Sequence, residues 1–286
     1  MKKILITGKN SYVGKRLEEW LGNYPDRYSL EAISLRDNSW KEKDFSNYDV
    51  VFHVAGVAHI KESKENAPLY YKVNRDLAYE VAQKAKVEAV KQFIFLSSMS
   101  VYGIENGSIT KNSELNPKSA YGKSKLQAEN LIEPLENGSF KIAIIRPPMI
   151  YGKDCKGNYP RLASIAVRFP VFPAIRNKRS MIFIDNLSEF VRLLIDDCCS
   201  GLFLPQNKQY VCTSDMVKLI AKVNGKNIIM IKLFNPLLRL INNKINLSVV
   251  NKVFGDLVYE KGLSEYKREY YVTTLEESIV KTEGRE

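Results

Sequence analysis

The chain is predicted to be an α/β protein: a doubly wound parallel sheet with a smaller C-terminal part. Two observations predict it. Apolar runs of strand length alternate with helical periodicity through the first two thirds of the 286 residues. Five residues also fall at the carboxyl ends of those runs, where a sheet of this kind binds its ligands. They are Gly8, Arg36, Ala55, Ser98 and Pro148.

The elements follow in order. Lys2 to Thr7 reads as a strand (3–7) running into Gly8, with a turn from Lys9 to Gly14 and a helix over 13–21. Strand, glycine turn and helix form a phosphate-binding unit, because backbone N–H groups and a helix N-terminus attract an anion. Further strands are expected at 29–35, 49–54, 92–97 and 141–146, and helices at 70–86, 119–132 and 186–196. After Tyr151-Gly152 the texture changes. Residues 153–180 are rich in Pro, Gly, Lys and Arg with little periodicity, and read as a substrate-binding excursion. Residues 229–286 read as a second set of short elements.

Composition narrows the class. A net charge of +11 gives either a well-solvated basic surface or a field that draws in polyanionic small molecules. Nucleic acid is not expected, since no basic run is interleaved with aromatics. No apolar run reaches about 18 residues, so no membrane span is expected. The two lysines at the N-terminus precede only a short apolar strand, too short for a signal peptide. The four cysteines and two histidines have no metal-ligand spacing, so no metal is expected, and a reducing cytoplasm fits best. Leu233 to Leu247 is apolar and basic. It reads either as a pair of short helices over a pocket or as a segment that touches a membrane surface or partner.

The chemistry concentrates in two places. In Leu96-Ser-Ser-Met-Ser-Val-Tyr-Gly103 the serines sit at the end of a buried strand. Asn116-Pro-Lys-Ser119 then starts a helix on which Tyr121 and Lys125, four apart, share a face. A hydroxyl facing a Tyr/Lys pair is a proton-transfer site. An ammonium is expected to lower the phenol pKa from about 10.

These motifs together resemble the extended short-chain dehydrogenase/reductase family, the NAD(P)-dependent nucleotide-sugar epimerase/dehydratase/reductase group. The matching pieces run from Thr7-Gly8 to Gly14, through Asp44-Phe45, His53-Val-Ala-Gly56, Asn74, Ser98 and Tyr121/Lys125, to Arg146-Pro-Pro-Met-Ile-Tyr-Gly152 and Arg179 to Leu187. The resemblance implies a Rossmann-type core over 1–152, rejoined by about 181–212, with 153–180 and 213–286 binding substrate. It implies that Ser98, Tyr121 and Lys125 are catalytic, with Lys125 also holding the nicotinamide ribose. Gly8, Ser11, Tyr12, Val13, Gly14, Arg36, Asp44, Phe45, Val54, Ala55, Gly56, Asn74, Tyr121, Lys125 and Pro148 are expected on the cofactor, with Asp44 and Phe45 at the adenine. His59, Ser98, Ser100, Tyr121, Met149, Asn158, Arg161 and Arg179 are expected on the sugar nucleotide, Arg179 as a diphosphate ligand. A homodimer built on the helices 70–86 and 119–132 is also implied.

Two departures from the family pattern bear on the cofactor. Ser11 stands where the family has its middle turn glycine, adding a hydroxyl beside the pyrophosphate. Arg36 stands where NAD-preferring members usually place a carboxylate, and with Lys9 it suits a 2′-phosphate, although Asp37 is adjacent. NADP(H) is therefore expected over NAD(H). Related dehydratases carry an acid/base pair after the strand-end hydroxyl. Here those positions are Met99 and Ser100, which argues against a dehydratase. The resemblance then points to reduction of a UDP-4-keto-6-deoxy-N-acetylhexosamine to UDP-N-acetylquinovosamine or its C4 epimer, for bacterial surface polysaccharide. The alternatives are an NAD-dependent UDP-hexose or UDP-N-acetylhexosamine 4-epimerase, and a non-catalytic NADP-binding sensor or scaffold.

Overall fold

The structure is a computed structural model that describes residues 1–58, 60, 62–232 and 255–284. His59 and the Leu233–Leu247 segment lie outside the described residues.

Six strands form one parallel sheet: β1 (Lys2–Thr7), β2 (Tyr28–Ile33), β3 (Val50–His53), β4 (Gln92–Leu96), β6 (Lys141–Ile145) and β10 (Gly201–Phe203). Their order is β10-β6-β4-β3-β1-β2. Both β2 and β3 pair with β1, so the winding reverses there and opens a crevice at the carboxyl ends of β1 and β3. The register sets Thr7, His53 and Phe95 in one row across those ends.

The sheet is apolar on both faces, as a covered parallel sheet must be. On one side α1 (Tyr12–Leu21) and α6 (Ile184–Asp197) pack against Ile4, Ile6, Phe52 and Ile94. On the other, α3 (Leu77–Val87) and α4 (Ala120–Ile132) cover Leu5, Val51, Phe93 and Ile144. The helix expected at 70–86 starts earlier, as α2 (Ala67–Tyr71), and passes through a π-helical turn at Lys72–Asp76 before α3. That turn is where Asn74 is placed, and such turns often mark functional positions.

The stretch 153–180 is more ordered than its composition suggested. It contains α5 (Asn158–Arg168), with Pro160 in the first turn, where a missing N–H costs nothing. Short parallel pairs tie this part to the rest: β7 (Met149–Tyr151) with β9 (Met181–Phe183), β8 (Val171–Pro173) with β11 (Ile229–Ile231), and β5 (Gly107–Ile109) with β12 (Leu257–Tyr259). α7 (Thr213–Val223) packs on α5 and on the C-terminal α8 (Leu275–Glu283).

Candidate functional site

The phosphate-binding unit begins at Gly8, whose φ of +119° a side chain would strain. A Cβ there would also lie 2.9 Å from the Ala55 nitrogen, so the β1 and β3 turns touch backbone to backbone. Ser11 N-caps α1, its hydroxyl accepting from the Gly14 N–H at 3.4 Å. Its own proton stays available to a phosphate oxygen. Val13 is buried, and Gly14 packs against Ile6 and Val54, where a Cβ would come within 3.1 Å of both. Tyr12 is half-buried; its hydroxyl is shut in beside Gly152 without a hydrogen-bond partner among the described residues. These features form an anion cradle at a helix N-terminus, which fits a dinucleotide pyrophosphate.

At the carboxyl end of β2 lies a cavity of about 310 Å³, lined by Lys9, Ser34, Ser39, Trp40 and Lys43 among others. Arg36, expected here as the phosphate ligand, does not line it and is exposed. Asp37 caps a short 3-10 helix, accepting from the Ser39 N–H at 3.0 Å and from the Ser39 hydroxyl. Glu31, also at the cavity, is held by Lys43 at 2.7 Å. Lys9 is the cation there outside that pair.

Three further residues expected on the cofactor are placed as follows. Phe45 is fully buried in the core below the sheet. Asp44 spends its carboxylate on the Ser46 N–H at 2.8 Å and the Asn47 amide at 2.9 Å. Asn74, expected on the cofactor, is fully buried and its amide is committed to protein. It accepts from the Val57 N–H at 2.7 Å and donates to the Val57 carbonyl and the Ser124 hydroxyl. Asn74 therefore holds the Val54-Ala-Gly-Val57 turn in place. Gly56 in that turn packs against Asn74 and Lys125.

The proton-transfer group assembles where β4 ends. Ser98 N-caps a 3-10 turn, Met99–Tyr102, its hydroxyl accepting from the Ser100 N–H and donating to the Ser100 hydroxyl, both at 3.1 Å. The start of α4, capped by Ser119, lies directly against this turn. A Cβ on Gly122 would sit 2.6 Å from the Ser100 carbonyl oxygen, so glycine there permits the approach. Tyr121 on that first turn meets Tyr70 edge to face at 6.3 Å. Lys125, 5% exposed, donates to the Leu96 carbonyl at 2.7 Å and lies 4.6 Å over the Phe95 ring.

The electrostatics differ from expectation in one respect. Burial raises the Tyr121 phenol above its ordinary value; the Ser98 hydroxyl pulls it back and Tyr70 adds a smaller upward push. Lys125 is not among the groups that shift Tyr121; its ammonium donates to the Leu96 carbonyl and lies over the Phe95 ring. Lys125 itself is pushed down to about 8 by burial, with Glu129 opposing.

Beneath the site lies a buried ion pair whose acid, Glu129, the motif reading passed over. Glu129 is 2% exposed and is bonded by Arg146 at 2.6 Å and by the Ser97 hydroxyl. Arg146 also donates to the Tyr102 hydroxyl at 2.9 Å. The signal was available: Tyr121, Lys125 and Glu129 are spaced four apart on one helix face. His53 is fully buried, bonded to Thr7 at 2.8 Å, stacked near Phe93 and Phe95, and pushed down to about 3 by burial and by Lys125.

Of the expected sugar-nucleotide residues, Ser98, Ser100 and Tyr121 are together. Pro148 is buried and Met149 half-buried where β7 begins, just past the end of β6. Asn158 opens α5 and Arg161 is exposed on it. Arg179 donates to the Gly255 carbonyl at 3.0 Å, with burial holding its pKa below the ordinary value.

The chain is similar to known proteins in sequence and in fold. Residues 4–201 match the model of the NAD dependent epimerase/dehydratase family. A UDP-glucose 4-epimerase of Vibrio cholerae is 31% identical over 249 residues, 77% of this chain and 75% of its own length. An N-acetyl-alpha-D-glucosaminyl-diphospho-ditrans,octacis-undecaprenol 4-epimerase of Escherichia coli O157:H7 is 29% identical over 69% of this chain, which spans 64% of that relative. The UDP-glucuronic acid 4-epimerase of Bacillus cereus, solved with NAD, superposes with a TM-score of 0.75 over 98% of this chain and 97% of its own, at 18% identity, a likeness of fold.

Proposed function

The chain belongs to the NAD dependent epimerase/dehydratase family, and from that premise we propose that it reduces the C4 ketone of a UDP-4-keto-6-deoxy-N-acetylhexosamine with NADPH. A bound nicotinamide supplies the hydride. The chain's own residues bind, orient and protonate. The observation that carries the reading is the placement of Ser98 and Tyr121 together at the strand end, with burial raising the Tyr121 phenol above its ordinary value. A phenol that holds its proton at neutral pH is a donor to the C4 oxygen, which ketone reduction requires. Ser98 orients that oxygen, and Lys125 supplies a fixed positive charge behind it. Met99 and Ser100 provide no carboxylate for elimination of a neighbouring hydroxyl.

The NADPH preference rests on the cavity at the end of β2. Lys9 and the Ser34 hydroxyl, with Lys43 beside them paired to Glu31, are the donors we assign to a 2′-phosphate. Helices α3 and α4, packed on each other over one face of the sheet, are our choice for a homodimer interface.

A second reading, 4-epimerisation of a diphosphate-linked hexose or N-acetylhexosamine, is favoured by the two 4-epimerases among the relatives. One experiment separates the two. The purified chain is mixed with UDP-4-keto-6-deoxy-N-acetylglucosamine and NADPH or NADH, and loss of reduced nicotinamide is followed. Rapid oxidation selective for NADPH is expected. No oxidation of either cofactor, with interconversion of UDP-N-acetylglucosamine and its C4 epimer on added NAD, would replace the reductase with the epimerase.

A further inference from the structure

The excess positive charge of this chain is concentrated in two stretches of its sequence. Residues 155–184 contain six lysines and arginines and no acidic residue, and residues 216–255 contain seven and none. The remaining residues hold 30 basic groups against all 32 acidic ones, so these two segments account for the whole of the basic balance.

The fold joins the two segments. β8 and β11 pair in parallel with Val171 opposite Ile229. Where they meet, large apolar side chains face solvent: Ile229 is 65% exposed, Phe169 56%, Val167 38% and Val171 37%. Arg168, Arg176, Lys226 and Lys232, next in sequence to these strands and to the end of α5, are all exposed. None of the four forms an ion pair with a described residue.

We propose that this face, built on β8, β11 and the end of α5, docks the protein on an anionic bilayer surface. Phe169 and Ile229 enter the headgroup boundary while the flanking cations meet acidic lipid headgroups. The combination selects this partner. Attraction of a soluble polyanion would explain the cations but gives the exposed Phe169 and Ile229 nothing to do. A second copy of the same face would bring like charges together without compensation. Apolar side chains ringed by Lys and Arg are what an interfacial membrane contact requires, and each basic residue near an anionic surface strengthens binding about fivefold. The proposal is independent of the reaction catalysed at C4.

The test is flotation of the full chain with vesicles of phosphatidylglycerol and phosphatidylcholine at a 3:7 ratio, and with pure phosphatidylcholine. We expect flotation with the anionic vesicles only, weakening as salt is raised. Arg168→Glu/Lys226→Glu should weaken it more than tenfold, and Phe169→Ser/Ile229→Ser should also release the protein, with thermal melts of both variants unchanged. Absence of flotation overturns the proposal. So does flotation that both variants retain, which would place binding elsewhere in the chain. Concentration-dependent self-association abolished by the same variants, without flotation, would make a second copy the occupant and overturn it equally.

Discussion

The Glu129 carboxylate is bonded to Arg146 at 2.6 Å inside the core, four residues along α4 from Lys125. The pair joins the helix that carries Tyr121 and Lys125 to the end of β6. Through Tyr102 it also braces the turn that Ser98 caps. Breaking a buried pair from one side leaves a charge without a partner. Glu129→Gln should therefore cost about 3–5 kcal/mol of stability, while Glu129→Leu/Arg146→Met should cost clearly less than the two single changes added together. Urea denaturation of the three variants measures this.

Glu129 also opposes the fall in the Lys125 pKa, which burial pushes to about 8. Where Glu129→Gln stays folded, Lys125 should lose its proton at a lower pH than in the parent chain. If the ammonium is required for turnover, the alkaline limb of the rate profile shifts to lower pH. An unmoved limb would assign Glu129 a structural role alone.

Tyr121→Phe removes the proposed donor and leaves the ring in place. Loss of a positioned general acid lowers turnover about 10²–10⁴-fold. Dinucleotide affinity, read by fluorescence titration, should be retained, and a folded variant with parental turnover would refute the assignment.

Lys9→Ala and Lys43→Ala should each weaken NADPH about tenfold, the loss of one charge-assisted contact, with little change for NADH. Arg36→Ala should change neither cofactor much, because Arg36 does not line the cavity. The KM values for the two cofactors across these three variants decide the point.

His53 predicts an acid-sensitive core. Its folded pKa is about 3 against an ordinary 6.5, so between those values the unfolded chain binds more protons than the folded one. Stability is then unaffected above about pH 7 and is lost as pH falls from 6.5 towards 3. The loss between pH 7 and pH 4.5 is about 2–3 kcal/mol. His53→Asn, which keeps a polar atom for Thr7, should flatten that part of the slope in urea melts at the two pH values.

Much of this was legible in the residues. Strand and helix periodicity placed β1, α1, β4 and α4 within one or two residues, because a parallel sheet covered on both faces needs continuous apolar strands and amphipathic helices. The helix α5 was obscured by Pro160 and by a composition that resembles a loop, although a proline in the first turn does not oppose a helix. The Ser98, Tyr121 and Lys125 grouping was also legible, since a strand end and one helix turn carry it.

Other positions depended on partners distant in sequence. Phe45 and Asn74 sit in motif positions, yet one is core and the other fastens the Val57 turn. Arg36 and Lys43 are both cations near the end of β2, and only the path of the chain after Asp37 decides which of them lines the cavity. The sequence by itself determined the alternation of strands and helices, the parallel-sheet class and the grouping of Ser98 with Tyr121 and Lys125, because periodicity and short-range spacing are local properties of the chain. The tertiary structure alone decided the direction of the Tyr121 and Lys125 pKa shifts, the buried Glu129–Arg146 pair and the joining of two acid-free segments into one face. Burial and charge proximity are set by residues far apart in sequence, and no local pattern encodes them.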